Sequence, residues 1–118
     1  MTVEFYASAT GNNPVWEFIQ DLDESDKKYI YRALTRCHTA HISYLFSSGT
    51  LKKVGKYLYE IRVSANGKAY RILCAIKGAV IWLLHAFQKK SQDIKQKHIN
   101  SALERLVNLD LQLKFANI

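Results

Sequence analysis

The chain of 118 residues carries 17 Lys and Arg against 10 Asp and Glu, a net charge of +7 with histidines neutral, and is 48% apolar. That length suits one domain with one core, and the balance of apolar and charged residues excludes a disordered or collagen-like chain. The longest strongly apolar stretch, Ala79–Ala86, falls far short of the roughly 20 residues of a membrane span, and Met1-Thr2-Val3-Glu4 shows no basic region leading into an apolar run, so no secretory signal is expected.

Val3–Ala7 alternates around Phe5 and predicts a first strand. Thr10-Gly11-Asn12 breaks it, and Asn13-Pro14 predicts an N-cap followed by proline at the first helical position. That helix runs to about Leu22, with Val15, Phe18, Ile19 and Leu22 on one face. Asp23 or Ser25 caps a second helix, where Ile30, Ala33, Leu34, Cys37, His41, Tyr44 and Leu45 recur at three-and-four spacing until Ser47-Ser48-Gly49 ends it. Trp16 and the tyrosines of this helix read as core. Beyond Gly49 the period becomes strand-like. Tyr57–Ser64 and Lys68–Ile76 flank Ala65-Asn66-Gly67, a strong hairpin signal, and Lys77-Gly78 turns into Ala79–Phe87. After the polar stretch Gln88–Gln92, a last helix is expected from about Asp93 to near Leu109, with Ile94, His98, Ala102, Leu106 and Leu109 along one stripe. The order β-α-α-β-β-β-α predicts an α+β domain, a mostly antiparallel sheet with helices packed on one face.

Alternation along the strands assigns side chains to faces. In Tyr57–Ser64, Tyr59, Ile61 and Val63 share one face, and Leu58, Glu60 and Arg62 the other. In the next strand Tyr70, Ile72, Cys74 and Ile76 oppose Arg71, Leu73 and Ala75. The third is apolar on both faces from Val80 to Leu84, as a central strand is, and its end sets His85, Phe87 and Lys89 on one side. Arg62 and Arg71 therefore project from the middles of adjacent strands, opposite the helix-packed core. Positive charge concentrates in the same half. Residues 1–50 hold 4 basic and 6 acidic residues, whereas residues 51–118 hold 13 and 4. Such a surface suits a polyanion such as nucleic acid, with affinity falling as salt rises. Cys37 and Cys74 read as buried free thiols of a reduced, cytoplasmic compartment. Cys37-His38-x-x-His41 places Cys37 and His41 on the core stripe without further ligands nearby, a structural pattern rather than a metal site.

Leu58-Tyr59-Glu60-Ile61-Arg62, then Tyr70-Arg71-Ile72, then Leu84-His85-Ala86-Phe87-Gln88-Lys89-Lys90 together resemble the RelE/HigB-type toxins, and within them the phage-derived branch with its L-Y-E-[IL]-R, Y-R and H-x-F-x-K-K series. Order and spacing match over nearly the whole chain. The resemblance implies a compact microbial-RNase-like fold and the toxin of a toxin–antitoxin pair. It implies cleavage of mRNA, typically in the decoding site of a translating ribosome, without cofactor, metal or membrane. The implied partner is an antitoxin that commonly carries a helix-turn-helix domain, so that operator DNA is met only through the antitoxin complex. Two departures stand out. Asp93-Ile94-Lys95 lacks the proline that often opens the last helix in this branch, and no tyrosine follows Tyr70 to match the C-terminal catalytic tyrosine of some RelE members.

The residues themselves suit that chemistry. Cleavage by the ribose 2′-hydroxyl needs a proton removed, charge on the phosphorane stabilised and the leaving 5′ oxygen protonated. Arg71 and Arg62 are candidates to grip the phosphate, Lys89 and Lys90 to stabilise the transition state and share in acid–base work, and His85 to act as general acid or base. Phe87 is a candidate to stack on a base, and Lys52, Lys53 and Lys56 to contact RNA backbone. Each has a plainer alternative: Arg62 paired with Glu60, His85 satisfied by a backbone carbonyl, Phe87 in the core, the lysines as solvated turns. Arg71 has no such local partner and is expected at an exposed strand position. Two other classes stay open, a non-catalytic antitoxin- or RNA-binding member acting in transcriptional regulation, and a toxin aimed at another target such as gyrase.

Overall fold

The chain runs β1 (Thr2–Phe5), α1 (Pro14–Gln20), α2 (Glu24–Thr39), α3 (Ile42–Ser47), β2 (Leu51–Lys53), β3 (Tyr59–Ala65), β4 (Lys68–Lys77), β5 (Val80–Lys89) and α4 (Gln96–Ala116). The computed structural model describes residues 1–94 and 96–116. Local chemistry accounts for most boundaries. Asn13 caps α1 by accepting from the Trp16 amide, with Pro14 at the first helical position, and Asp23 caps α2 by accepting from the Asp26 amide at 2.8 Å. At the hairpin, Asn66 and Gly67 take φ of 51° and 79°, the paired positive values of a two-residue turn whose twist matches its strands.

β2, β3, β4 and β5 pair antiparallel in succession, and β1 adds parallel to Val80–Leu83 of β5, giving the order β1-β5-β4-β3-β2. The sheet is thus mixed, and the helices occupy both of its faces rather than one. α1, α2 and α3 bury Val15, Ile19, Ile30, Cys37 and Leu45 against Ile61, Val63, Ile72 and Leu83. α4 lays Ala102, Leu106 and Leu109 against Leu58, Leu73, Ala75 and Leu84 on the reverse. The reason lies in β4 and β5, which are apolar on both sides; central strands of that kind need a second layer to cover them.

Several expectations are corrected. The second helix is two, because Ala40 and His41 take extended ψ values of 157° and 143°. No Gly or Pro marks that break; it lets Leu45 enter the core and Phe46 meet Tyr59 edge-on, while His41 and Tyr44 turn to solvent. Trp16, Tyr29 and Tyr31 are exposed rather than core. The last helix starts at Gln96 and continues to Ala116, and the expected start near Asp93 adjoins Lys95, outside the described residues. Cys37 and Cys74 are buried free thiols, and burial pushes Cys37 up to about 11. Among the described residues no cluster of three or more His, Cys, Asp or Glu is placed to hold a metal ion, and no helix is long and apolar enough to cross a membrane.

Candidate functional site

Cross-strand register arranges the sheet face beneath α4 in rows. Lys52 stands opposite Glu60, Glu60 opposite Leu73, and Leu73 opposite His85. The next row is Arg62, Arg71 and Phe87; the one after is Ser64, Ala69 and Lys89. Directly opposite residues share a face, so four cationic side chains from four strands (Lys52, Arg62, Arg71 and Lys89) occupy one side of the sheet. A bulge makes this possible. Leu73 opposes His85 while Cys74 opposes Leu83, which leaves Leu84 as an extra residue in β5. Strict alternation from Ile81 and Leu83 would put His85, Phe87 and Lys89 under α2; the extra residue turns them toward α4 and the arginines.

Glu60 sits at the centre of the arginine group and is 3% exposed. Its Oε1 lies 3.9 Å from Arg62 Nε and its Oε2 3.8 Å from Arg71 Nε. Arg62 is therefore paired as its plainer alternative foresaw, but Arg71 also has a carboxylate partner and is buried rather than exposed, at 7%. Arg71 Nη1 donates to the carbonyl of Tyr70 at 2.9 Å. Burial, then the nearby Arg62 charge, lowers the Arg71 pKa, against the pull of Glu60. Glu60 Oε2 and Arg71 Nε are both buried without a hydrogen-bond partner. The pair is thus held close but left unsaturated, a state that costs stability in a folded chain.

Beside the arginines, Phe87 is 6% exposed and stacks on His98 of α4 with centroids 3.9 Å apart and planes at 7°. One ring face is thereby occupied, so Phe87 packs rather than offering that face to a base. His85 is engaged at both nitrogens, 2.8 Å from Arg105 Nη1 and 2.8 Å from His98 Nδ1. Burial, then the neighbouring Arg105 and His98, brings His85 down to about 4, so it is neutral at pH 7 and ill-suited to act as a base. Lys89, Lys90 and Asp93, with Lys97 and His98 of α4, line a cavity of about 480 Å³ at the end of β5, three lysines to one carboxylate. Among the described residues neither Lys89 nor Lys90 enters an ion pair.

The remaining lysines separate. Lys52 lies on the arginine face, whereas Lys53, opposite Tyr59, points to the other side. Lys56 stands over the Tyr57 ring, 5.4 Å from its centroid, and borders a groove with the middle of α4. A larger cavity of about 760 Å³ between α1 and α4 is lined by Glu17 and Glu104 as well as Arg105, a poorer setting for a polyanion than the lysine-rimmed one. Sequence reasoning passed over Glu60 as the partner of Arg71, took His98 only as part of the stripe of the last helix, and passed over Lys97 and Arg105. His98 and Arg105 stand seven residues apart on one helix face, and two polar residues on an otherwise apolar stripe are the signal that could have found them. Residues 17–107 match the family model described as phage derived protein Gp49-like (DUF891). No curated protein matches the chain.

Proposed function

Because the chain belongs to the Gp49-like family of phage-derived proteins, a family known for toxins of toxin–antitoxin systems, we propose that it is the toxin of such a pair and an endoribonuclease that cuts mRNA on the translating ribosome. The observation that supports this best is the placing of Arg62 and Arg71 directly opposite each other, flanked by Lys52 and Lys89 on the same face. In-line attack of a 2′-hydroxyl on its own phosphate concentrates negative charge on the phosphorane oxygens. Arginine forks and lysine point charges fixed in advance on strands stabilise that charge without reorganising. Arg62, the half-exposed member, meets the phosphate first; Arg71 stands behind it, and Lys89 and Lys90 bring further charge from the rim. His85 supports this site from behind rather than touching RNA.

The partner implied is an antitoxin, proposed to carry a helix-turn-helix domain and to bring the complex to operator DNA. Cleavage of mRNA by the purified chain on programmed ribosomes tests the reading. Arg62→Ala should melt like the parent, since its side chain is 45% exposed, and should lose roughly a hundredfold to a thousandfold in rate. Lys89→Ala should act in the same direction. Parental cleavage by both variants, or growth arrest with intact mRNA, overturns it.

A further inference from the structure

Arg62 and Arg71 stand directly opposite each other on β3 and β4, a pairing that like charges make unfavourable on a sheet. Glu60 stands between them. It lies two residues before Arg62 on the same face of β3 and opposite Leu73, diagonal to Arg71. Each of its oxygens approaches a different guanidinium, and each does so at Nε, Oε1 at 3.9 Å from Arg62 and Oε2 at 3.8 Å from Arg71. Arg71 Nη1 is fixed in turn by the Tyr70 carbonyl at 2.9 Å. The groups form a line, from that carbonyl through Arg71 and Glu60 to Arg62. Its inner members are buried, and the Arg62 side chain is half-exposed.

The Arg62 end is open. Its backbone is held by the N–H donated to the Thr50 carbonyl at 2.9 Å, whereas among the described residues its guanidinium is paired with Glu60 alone. Contact at Nε leaves the Nη1–Nη2 edge, the end-on fork that fits two phosphate oxygens. Nη1 reaches over Gly49, 4.0 Å from where a Cβ would stand, and the φ of 77° there favours glycine.

We propose that Glu60 is a positioning residue for the phosphate site: its buried carboxylate, anchored by Arg71, aims the free fork of Arg62 at the phosphate oxygens of the RNA backbone. The inference rests on the reading of this face as an RNA site and deepens it, by giving the acidic residue inside a basic surface a part in anion recognition. Glu60 itself touches no RNA, because it is buried and both its oxygens face the guanidiniums. Lys52, opposite Glu60 on β2, is not paired with it, so the carboxylate is left to the arginines. Charge counting expects the reverse, that a carboxylate beside the arginines repels phosphate. Holding Arg62 in place outweighs that repulsion, since a long side chain free to turn loses rotamer entropy when it binds.

The test uses the full chain labelled with 15N-arginine, and as probe a short 2′-O-methyl oligonucleotide, which has no 2′-hydroxyl to react. In the parent, the Arg62 Nε–H resonance should stand apart from that of Arg36, which is exposed on α2. Glu60→Gln keeps the size of the side chain and raises the net charge by one. It should bring the Arg62 resonance to the Arg36 position and weaken binding about tenfold. Glu60→Asp, whose carboxylate stops one methylene short of Arg62, should lie between the parent and Glu60→Gln in both readings. A merely structural Glu60 would lower the melting temperature and leave the affinity of the folded chain at the parental value. That result, tighter binding by Glu60→Gln, or a parent Arg62 resonance that matches Arg36 overturns the proposal. If Glu60→Gln fails to fold, the parent spectrum and Glu60→Asp decide, and parental values for both readings in Glu60→Asp overturn it. None of these measurements needs cleavage. A chain that passes them and leaves mRNA intact loses the endoribonuclease reading alone, and one that cuts mRNA but fails them loses this role of Glu60 alone.

Discussion

Arg71 is 7% exposed, and its guanidinium is divided between the Tyr70 carbonyl, 2.9 Å from Nη1, and Glu60, 3.8 Å from Nε. Removing it abandons a buried carboxylate whose remaining ionic neighbour is Arg62, at 3.9 Å. Breaking one side of a buried pair costs about 3 kcal/mol, so Arg71→Ala should lower the melting temperature by roughly 10 °C as well as abolishing cleavage. The two effects can be separated. Adding Glu60→Gln removes the stranded charge, so the double variant should regain most of the lost melting temperature while its cleavage on ribosomes stays at background. Recovery of cleavage in the double variant would mean that Arg71 serves the fold and not the phosphate. Strand alternation alone made the shared face of Arg62 and Arg71 legible, but it treated Arg71 as exposed and unpaired. The partner was within reach of the same reasoning. The two-residue turn fixes Ala65 opposite Lys68, which sets Glu60 opposite Leu73 and diagonal to Arg71.

At the scale of elements, the first turn of α2 is fastened to the β3–β4 hairpin through Asp26. This carboxylate accepts from Tyr70 Oη at 2.5 Å, Asn66 Nδ2 at 2.6 Å and Lys68 Nζ at 2.8 Å. The Lys68 hydrogen bond, then those from Tyr70 and Asn66, lower Asp26 to about 2. A carboxylate whose folded value lies below its unfolded value of about 3.9 contributes stability that is complete above that value and lost as pH falls through the folded one. Thermal melting should therefore decline between about pH 4 and pH 2, and Asp26→Asn should flatten that limb while lowering stability at pH 7. An unchanged acid limb in Asp26→Asn would place the acid-sensitive contact elsewhere. The Tyr-Arg pair of the sequence thus divides its labour, since Tyr70 points to α2 and Arg71 to the opposite face. Tyr70→Phe should lower the melting temperature and leave the cleavage rate of the folded fraction at the parental value; a fall in that rate would tie Tyr70 to the chemistry. Hairpin and caps were readable because their signals are local. The α2–α3 break and the Leu84 bulge answer to packing across the sheet, and no local residue announces them.

For the molecule as a whole, the sequence showed the charge imbalance between its halves but not its distribution in space. Periodicity supplied the strands and main helices, yet could not place α4 across the sheet from α1 and α2, because a strand apolar on both faces does not say which helix covers which side. The observed fold sets Lys52, Arg62, Arg71 and Lys89 on the α4 face, with Lys90 and Lys97 at the rim of the β5 cavity, and puts exposed Lys28 on α2, the layer packed against the other face. If the first group meets a single-stranded RNA backbone, each phosphate neutralised contributes about 0.7 to the slope of log affinity against log salt. Binding of a short single-stranded RNA, measured from low to physiological salt, should therefore weaken steeply for the parent. Lys52→Gln and Lys89→Gln should each bind more weakly at low salt and with a shallower slope, reduced by about one phosphate's share. Lys28→Gln makes the same change in net charge on the far layer, where distance and counterions screen it, so its slope should equal that of the parent. Net charge alone would make all three variants alike. Equal slopes for Lys28→Gln and Lys52→Gln would remove the α4 face as the interface.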